Sequence, residues 1–599
     1  MDDQNKNLIL ATALSFLVIL VWFVVFPPEQ TVTDPNTPVA TQTAEVPGVT
    51  AVTPDTVATP PAPDIAQVDA PRIMIDTPRL SGSISLQGGR IDALSLKDYR
   101  ETLDADSPNV TLLTPVGEPE AYYALFAWAP GGDLGFDDVP GADTVWQLES
   151  GDKLAVGKPV TLVWQNSKGQ TFRSKIEVDD DFMFSVAQSV ENTAEGAVRM
   201  AAYSQIKRHG EPSNRKKFFV IHEGPIRQSG EELTELDYKD MRGLGTDPRW
   251  GANAEVVEVA ANGWIGFTDH YWMTTLIPAA DQPFTSVLKY DQSRDVYTSE
   301  ARLAPVEVAP GQSASYTTRF FAGAKEWATI REYQNQDGIY HFIDAIDWGW
   351  FFFLTKPIFS VLHWLNSVIG NMGWSIIVLT LVIKAIVFPL AYKSYVSMAR
   401  MKELQPEMEK LKEKAGDDRQ KMQQGMMELY KKNKVNPASG CLPIVLQIPI
   451  FFSLYKVIFV TLELRHAPWI GWIRDLSAPD PSSILNLFGL LPWATPEPGS
   501  IFFILSLGIL PILLGISMWL QQKLNPAPTD QTQAMIFAWM PWVFMFMLGS
   551  FASGLVLYWI ANNTITFTQQ YLIMRSHGHK PDVFGNILST FRRNKPTAK

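Results

Sequence analysis

Residues 373–392 read GWSIIVLTLVIKAIVFPLAY, twenty positions with a single charge, at Lys384. A helix needs about 20 largely apolar residues to cross the hydrocarbon core of a bilayer, so this segment is expected to span a membrane. Four later runs have the same character, at residues 441–462, 501–521, 535–551 and 552–574. A sixth stands near the start, Leu8 to Phe26, nineteen residues without a charge. It ends in Phe26-Pro27-Pro28 rather than in a small-x-small cleavage site, which favours a retained anchor (residues 1–26) over a cleaved signal peptide. The aromatic stretch Trp348 to Gly370 is interrupted by Lys356-Pro357, His363 and Asn366, and reads as an interfacial amphipathic helix within a linker, 332–372.

Charge orients these spans. Lys393 to Lys434 holds eleven Lys/Arg against seven Asp/Glu, and the tail 575–599 carries six basic residues. Residues 463–500 have only Arg465 and Arg474. The positive-inside rule then puts both termini, the loop 393–440 and the short loop 522–534 in the cytoplasm. Within the basic loop Met401, Leu404, Met408 and Leu411 recur at helical spacing, as do Met422, Met426 and Leu429, with Ala415 to Asp418 between them. This predicts a cytoplasmic helical hairpin built on Met408, Leu411, Met422 and Met426, with its first helix restarting at Pro406 because proline is tolerated only in a first turn.

Residues 27–71 are Pro, Thr, Val and Ala with scattered acids, a composition suited to an extended tether. From 72 to 331 short alternating runs such as Thr171-Phe172-Arg173-Ser174-Lys175-Ile176-Glu177-Val178 are separated by turn residues, the pattern of a large β-sandwich. Following an N-in anchor, it falls in the periplasm. The fold class expected is mixed: a polytopic α-helical membrane protein of six transmembrane helices with a large periplasmic β-sandwich.

A net charge of −12 over 599 residues argues against a general nucleic-acid binder, and no specific nucleic-acid partner is expected. The single cysteine, Cys441, allows no intramolecular disulfide and reads as an inert buried thiol. Gly151 to Pro159 is a near miss for a phosphate loop, and HExxH and GxSxG are absent, so no metal or cofactor is expected. A Ser-Lys dyad through Ser375 is disfavoured, since that residue lies about 14 Å from Lys384 along a helix.

Lys384 is the residue to explain. A lysine at mid-span costs roughly 2.5–3.5 kcal/mol on insertion scales, so it should face water or a polar partner. A polar cavity within the bundle and a structural ion pair both meet that need, and the other spans offer no obvious mid-membrane Asp or Glu. Thr380, one turn away, and Gln447, Asn562, Asn563 and Gln569 are further polar residues at membrane depth, for which ordinary helix–helix hydrogen bonds are the competing reading.

The blocks LQPEMEKLKEK (404–414), DDRQKMQQGMMELYKKNKVNPASGCLPIVLQIPIF (417–451), ELRHAPWIGWIRDLSAPDP (463–481) and SGLVLYWIANNTITFTQQYLI (553–573) resemble the YidC family of membrane-protein insertases. NGWIGFTDHYWMTTLIP (262–278) is similar to the periplasmic domain of its Gram-negative members. The resemblance implies an insertase and chaperone of the bacterial inner membrane, not an enzyme, with a five-helix core around a hydrophilic groove open to cytoplasm and lipid. The partners it implies are nascent membrane proteins, the lipid bilayer, the Sec translocon and a ribosome met through the hairpin and basic tail. Lys384 stands where the family usually has arginine, keeping the charge but not the planar fork. Thr380 matches a groove position, Trp559 beside Tyr558 a substrate-contacting one, and Gln447 joins them as a candidate groove residue. Ala552, where PSG is more usual, and the Leu487 to Ser500 insertion depart from the family pattern. Two rivals remain at this point: a transporter with a charged cavity, and a membrane-anchored carbohydrate-binding sandwich.

Overall fold

The computed structural model describes residues 70–215, 221–416, 418–433, 442–491, 493, 506–524 and 531–577. The anchor Leu8 to Phe26, nearly all of the tether, Cys441 and most of the basic tail lie outside the described residues.

Period-two alternation builds the first half. The strand Gln170–Val178 buries Phe172, Ser174, Ile176 and Val178 while Lys175 and Glu177 face out. It pairs antiparallel with Met183–Asn192, which pairs in turn with Ser313–Ala324. A nine-stranded sheet containing these three faces a twelve-stranded sheet, so the expected β-sandwich is present, its strands running from Arg72 to Ala324. The sheets meet through aromatic side chains: Trp128 against Phe172 with ring centroids 5.8 Å apart, and Phe126 against Phe320 at 6.1 Å. Such tilted and edge-on pairs add to the area they bury.

The outer face of the larger sheet carries a buried charge cluster. Glu300 is fully buried. Its carboxylate accepts from Gln205 at 2.5 Å, from Lys289 at 2.8 Å and from Arg302 at 2.7 Å. Burial by itself raises the Glu300 carboxyl, but Arg302 and Lys289 outweigh it and hold the group down, to about 2. A folded-state value below the ordinary 4.5 stabilises the fold above pH 4.5, and that contribution is lost as pH falls towards 2. The melting temperature of the full chain in detergent is therefore expected to fall between pH 5 and pH 3, and less steeply in Glu300→Gln; equal slopes in both proteins would contradict this account.

Helix α1 (Trp327–Asn335) leads out of the sandwich to α2 (Phe352–Ile369), which ends at Gly370 in the left-handed conformation. Next comes α3 (Met372–Glu403), followed by α4 (Gln405–Ala415) and α5 (Arg419–Lys432). Helices α6 (Leu442–Val460), α7 (Ile509–Leu524), α8 (Gln531–Met547) and α9 (Ser553–Ser576) complete the described chain. Helix α3 runs eleven residues past Tyr392, where its apolar stretch stops, because no residue there forbids helix. The break falls after Glu403, with Pro406 in the first turn of α4. Helix α7 is capped at Ile509 by the loop before it: Asp480 accepts the Leu510 N–H at 2.8 Å and Ser482 that of Ile509 at 3.0 Å.

Helices α4 and α5 pack on each other. Leu404 and Met408 are buried against Met426, Leu429 and Tyr430. A Cβ at Gly425 would sit 2.9 Å from Leu411 Cδ2, so glycine sets the close approach. Met422 is half-buried and stands outside that cluster. On the bundle exterior Ile386 of α3 and Ile536, Trp539 and Val543 of α8 are exposed, the apolar outer surface that lipid requires.

Candidate functional site

Lys384 lies twelve residues into α3, about 18 Å from Met372 at 1.5 Å per residue. Its ammonium donates to Gln447 Oε1 of α6 at 3.0 Å, and Gln447 Nε2 donates to the Tyr558 hydroxyl of α9 at 3.1 Å. One relay thus joins three helices, with the glutamine amide used on both sides. Among the described residues the partner of Lys384 is this amide, and no carboxylate pairs with it. Lys384 and Gln447 are half-buried and Tyr558 is buried, so the charged end of the relay is the accessible one.

Thr380 does not enter this relay. It is buried, and its hydroxyl donates to Ile376 O at 2.7 Å within its own helix. Trp559 follows Tyr558 but points about 100° away around the helix. Its ring packs against Phe451 of α6 at 5.0 Å and Phe544 of α8 at 5.8 Å, wedging those helices onto α9.

The same side of α9 holds polar atoms without partners among the described residues: Trp559 Nε1, Asn562 Oδ1 and Gln569 Oε1. Positions 559, 562, 566 and 569 follow each other by 3, 4 and 3, one helix face. Asn563 behaves otherwise, donating to Ser517 of α7 at 3.1 Å as an ordinary interhelical bond.

Sequence reasoning passed over Lys456, in the last turns of α6. Its ammonium meets Asp347 of the linker at 2.5 Å, and both side chains are largely buried. Asp347 also accepts the His222 N–H at 3.0 Å and the Gly349 N–H at 3.1 Å. His270 of the sandwich bonds to Phe459 O at 2.7 Å, a second tie at the same end of α6. The available signal was a lysine inside an otherwise apolar run, nine residues after Gln447.

Residues 72–361 match the YidC periplasmic domain family, and residues 364–580 the 60Kd inner membrane protein family. The chain is 66% identical to the membrane protein insertase YidC of Dinoroseobacter shibae and 65% identical to that of Ruegeria pomeroyi, with 100% of both chains covered in each comparison. It is also similar to a crystal structure of active YidC insertase with the first transmembrane domain resolved, at 16% identity and a TM-score of 0.35, covering 86% of this chain and 95% of that one.

Proposed function

This chain belongs to the YidC family of inner-membrane protein insertases, and we propose that it lowers the barrier to insertion through the relay Lys384–Gln447–Tyr558. The family's work is the insertion of membrane proteins and involves no covalent step. A nascent chain must carry polar, often acidic, flanking residues across hydrocarbon, where each unsatisfied backbone group costs several kcal/mol. The accessible ammonium of Lys384, aimed by Gln447, attracts that flank part-way into the bilayer. Trp559, Asn562 and Gln569 supply polar atoms along the next stretch of α9. The apolar helix of the substrate then leaves sideways past α6 and α8, driven by its own transfer free energy. The membrane potential adds about 2.3 kcal/mol per charge per 100 mV for an acidic tail moving outward.

The topology that goes with this reading has six spans, with Leu8 to Phe26 as the first and both termini in the cytoplasm. Helix α2 is long and apolar enough to cross a membrane. Counting it as a span would move the basic hairpin α4–α5 to the outer side, against the positive-inside rule, so it is read as interfacial. Lys356 in α2 bonds to Asp344 of the linker at 2.6 Å, which supports that placement at the sandwich side. In this arrangement the hairpin and basic tail receive substrate or ribosome, and the lipid-facing side of α6 and α8 is open to the Sec translocon.

The relay is the observation that carries the proposal. The test is insertion of a short radiolabelled single-span protein into liposomes containing only this purified chain, scored by protease protection of the translocated tail. Protection well above that of empty liposomes is expected; protection equal to theirs rules out autonomous insertion.

A further inference from the structure

The sandwich has a second polar site, remote from the relay. A cavity of about 1170 Å³ opens on the outer face of the twelve-stranded sheet. Its floor is fixed by strand register. Across four adjacent strands Tyr123 stands beside Lys207, Lys207 beside Thr298, and Thr298 beside Lys289. One step along, Leu125, Gln205, Glu300 and Val287 form the next row, and Ala127, Tyr203 and Arg302 follow. Trp250 forms a wall, its ring held with Arg302 4.3 Å and Lys289 5.2 Å from the centroid.

The lining also holds Asp137 and Asp143, but most charges on the floor itself are paired. Glu300 is matched by Lys289 and Arg302, and Asp291 by Arg294. Lys207 is left over: among the described residues its ammonium makes neither an ion pair nor a hydrogen bond, although it lines the cavity. Beside it, His209 Nε2 is buried without a partner, and the His209 ring lies 5.8 Å from that of Tyr123. Burial and the neighbouring Lys289 push the Lys207 ammonium down to about 7, the cost of standing unpaired.

We infer that this cavity binds an acidic oligosaccharide, with Lys207 meeting its carboxylate or phosphate, Gln205, Thr298 and His209 its hydroxyls, and Trp250 stacking on a ring face. An anion supplies the charge that Lys207 lacks, and a sugar ring has the flat apolar face and rim of hydroxyls that this mixture of aromatic and polar side chains fits. Pockets for drug-sized ligands measure about 300–1,000 Å³, so this cavity has room for more than one sugar unit. An extended acidic peptide fits less well. The four floor strands lie inside the sheet, where their backbone groups are already used in the ladder and cannot register a peptide backbone.

The full chain in detergent micelles would be titrated calorimetrically with trigalacturonic acid, maltotriose and a hexaglutamate peptide. Saturable binding of trigalacturonic acid is expected, at least tenfold tighter than maltotriose, and weakened at least tenfold by Lys207→Met and by Trp250→Ala, with unchanged melting temperatures as the check on folding. Should Lys207→Met fail to fold, Trp250→Ala and Lys207→Gln carry the same test. No saturable binding by the wild type overturns the inference, as does affinity unaltered in the folded variants or maltotriose bound equally well. Hexaglutamate bound as tightly as the saccharide would reassign the cavity to peptide.

Discussion

Lys384→Ala is expected to reduce insertion of a substrate with an acidic translocated tail by roughly 10- to 100-fold. A hydrogen bond to a charged group is worth about 1.5–3 kcal/mol and each 1.36 kcal/mol is a factor of ten in rate, which sets that range. The effect should be selective. A substrate whose tail is neutral does not use the ammonium and should lose less than about threefold, since only the polar lining is altered. Lys384→Arg keeps the charge and should retain most activity, whereas Gln447→Leu leaves Lys384 and Tyr558 in place but unjoined, and should fall between the two. Stability is expected to hold in Lys384→Ala, because the substitution removes a charge that no carboxylate pairs with among the described residues. The measurement is protease protection in proteoliposomes with matched acidic-tail and neutral-tail substrates. Equal losses for both would mean that Lys384 shapes the bundle and does not attract the tail.

Much of this architecture was legible because its signals are local. Alternation at 171–178 is a statement about neighbouring residues, and the strand Gln170–Val178 follows it residue by residue. Pro406 acts within one turn of itself, and the chain breaks there. The site was legible only in part, since a lone lysine in an apolar run announces a polar environment without saying what supplies it. Its partners come from helices far along the chain, Gln447 being 63 residues from Lys384 and Tyr558 a further 111. Spacing left Thr380 open: one turn from Lys384 is near enough to share a cavity, but a threonine in a helix can satisfy its hydroxyl on the preceding turn, and this one does. It was silent on α9, where Asn562 and Asn563 are adjacent and chemically identical but differ by about 100° in direction, so Asn563 bonds to Ser517 while Asn562 Oδ1 has no partner among the described residues. Hydropathy also understated α3, because apolar character ends at Tyr392 while backbone hydrogen bonding does not.

The second large effect is expected at the junction of sandwich and bundle. Lys456→Met removes one partner of a largely buried ion pair and leaves Asp347 charged against the protein, a change that costs about 3–5 kcal/mol in comparable sites. Adding Asp347→Asn should recover most of the loss. The amide removes the orphaned charge while its oxygen still accepts from the backbone, where His222 and Gly349 now donate. Thermal unfolding of the full chain in nanodiscs gives the comparison: a clear fall in melting temperature for Lys456→Met and a partial return in the double variant. A single variant as stable as the wild type, or a double variant no better than the single, would show that the pair is not holding the junction. The consequence reaches the relay, because α6 carries both Lys456 and Gln447, about 13 Å apart along one helix. With one of the two ties at this end of α6 lost and only the His270–Phe459 contact left, α6 holds Gln447 less firmly against Lys384. Insertion should therefore fall in Lys456→Met and recover in the double variant, although no residue of the relay has changed.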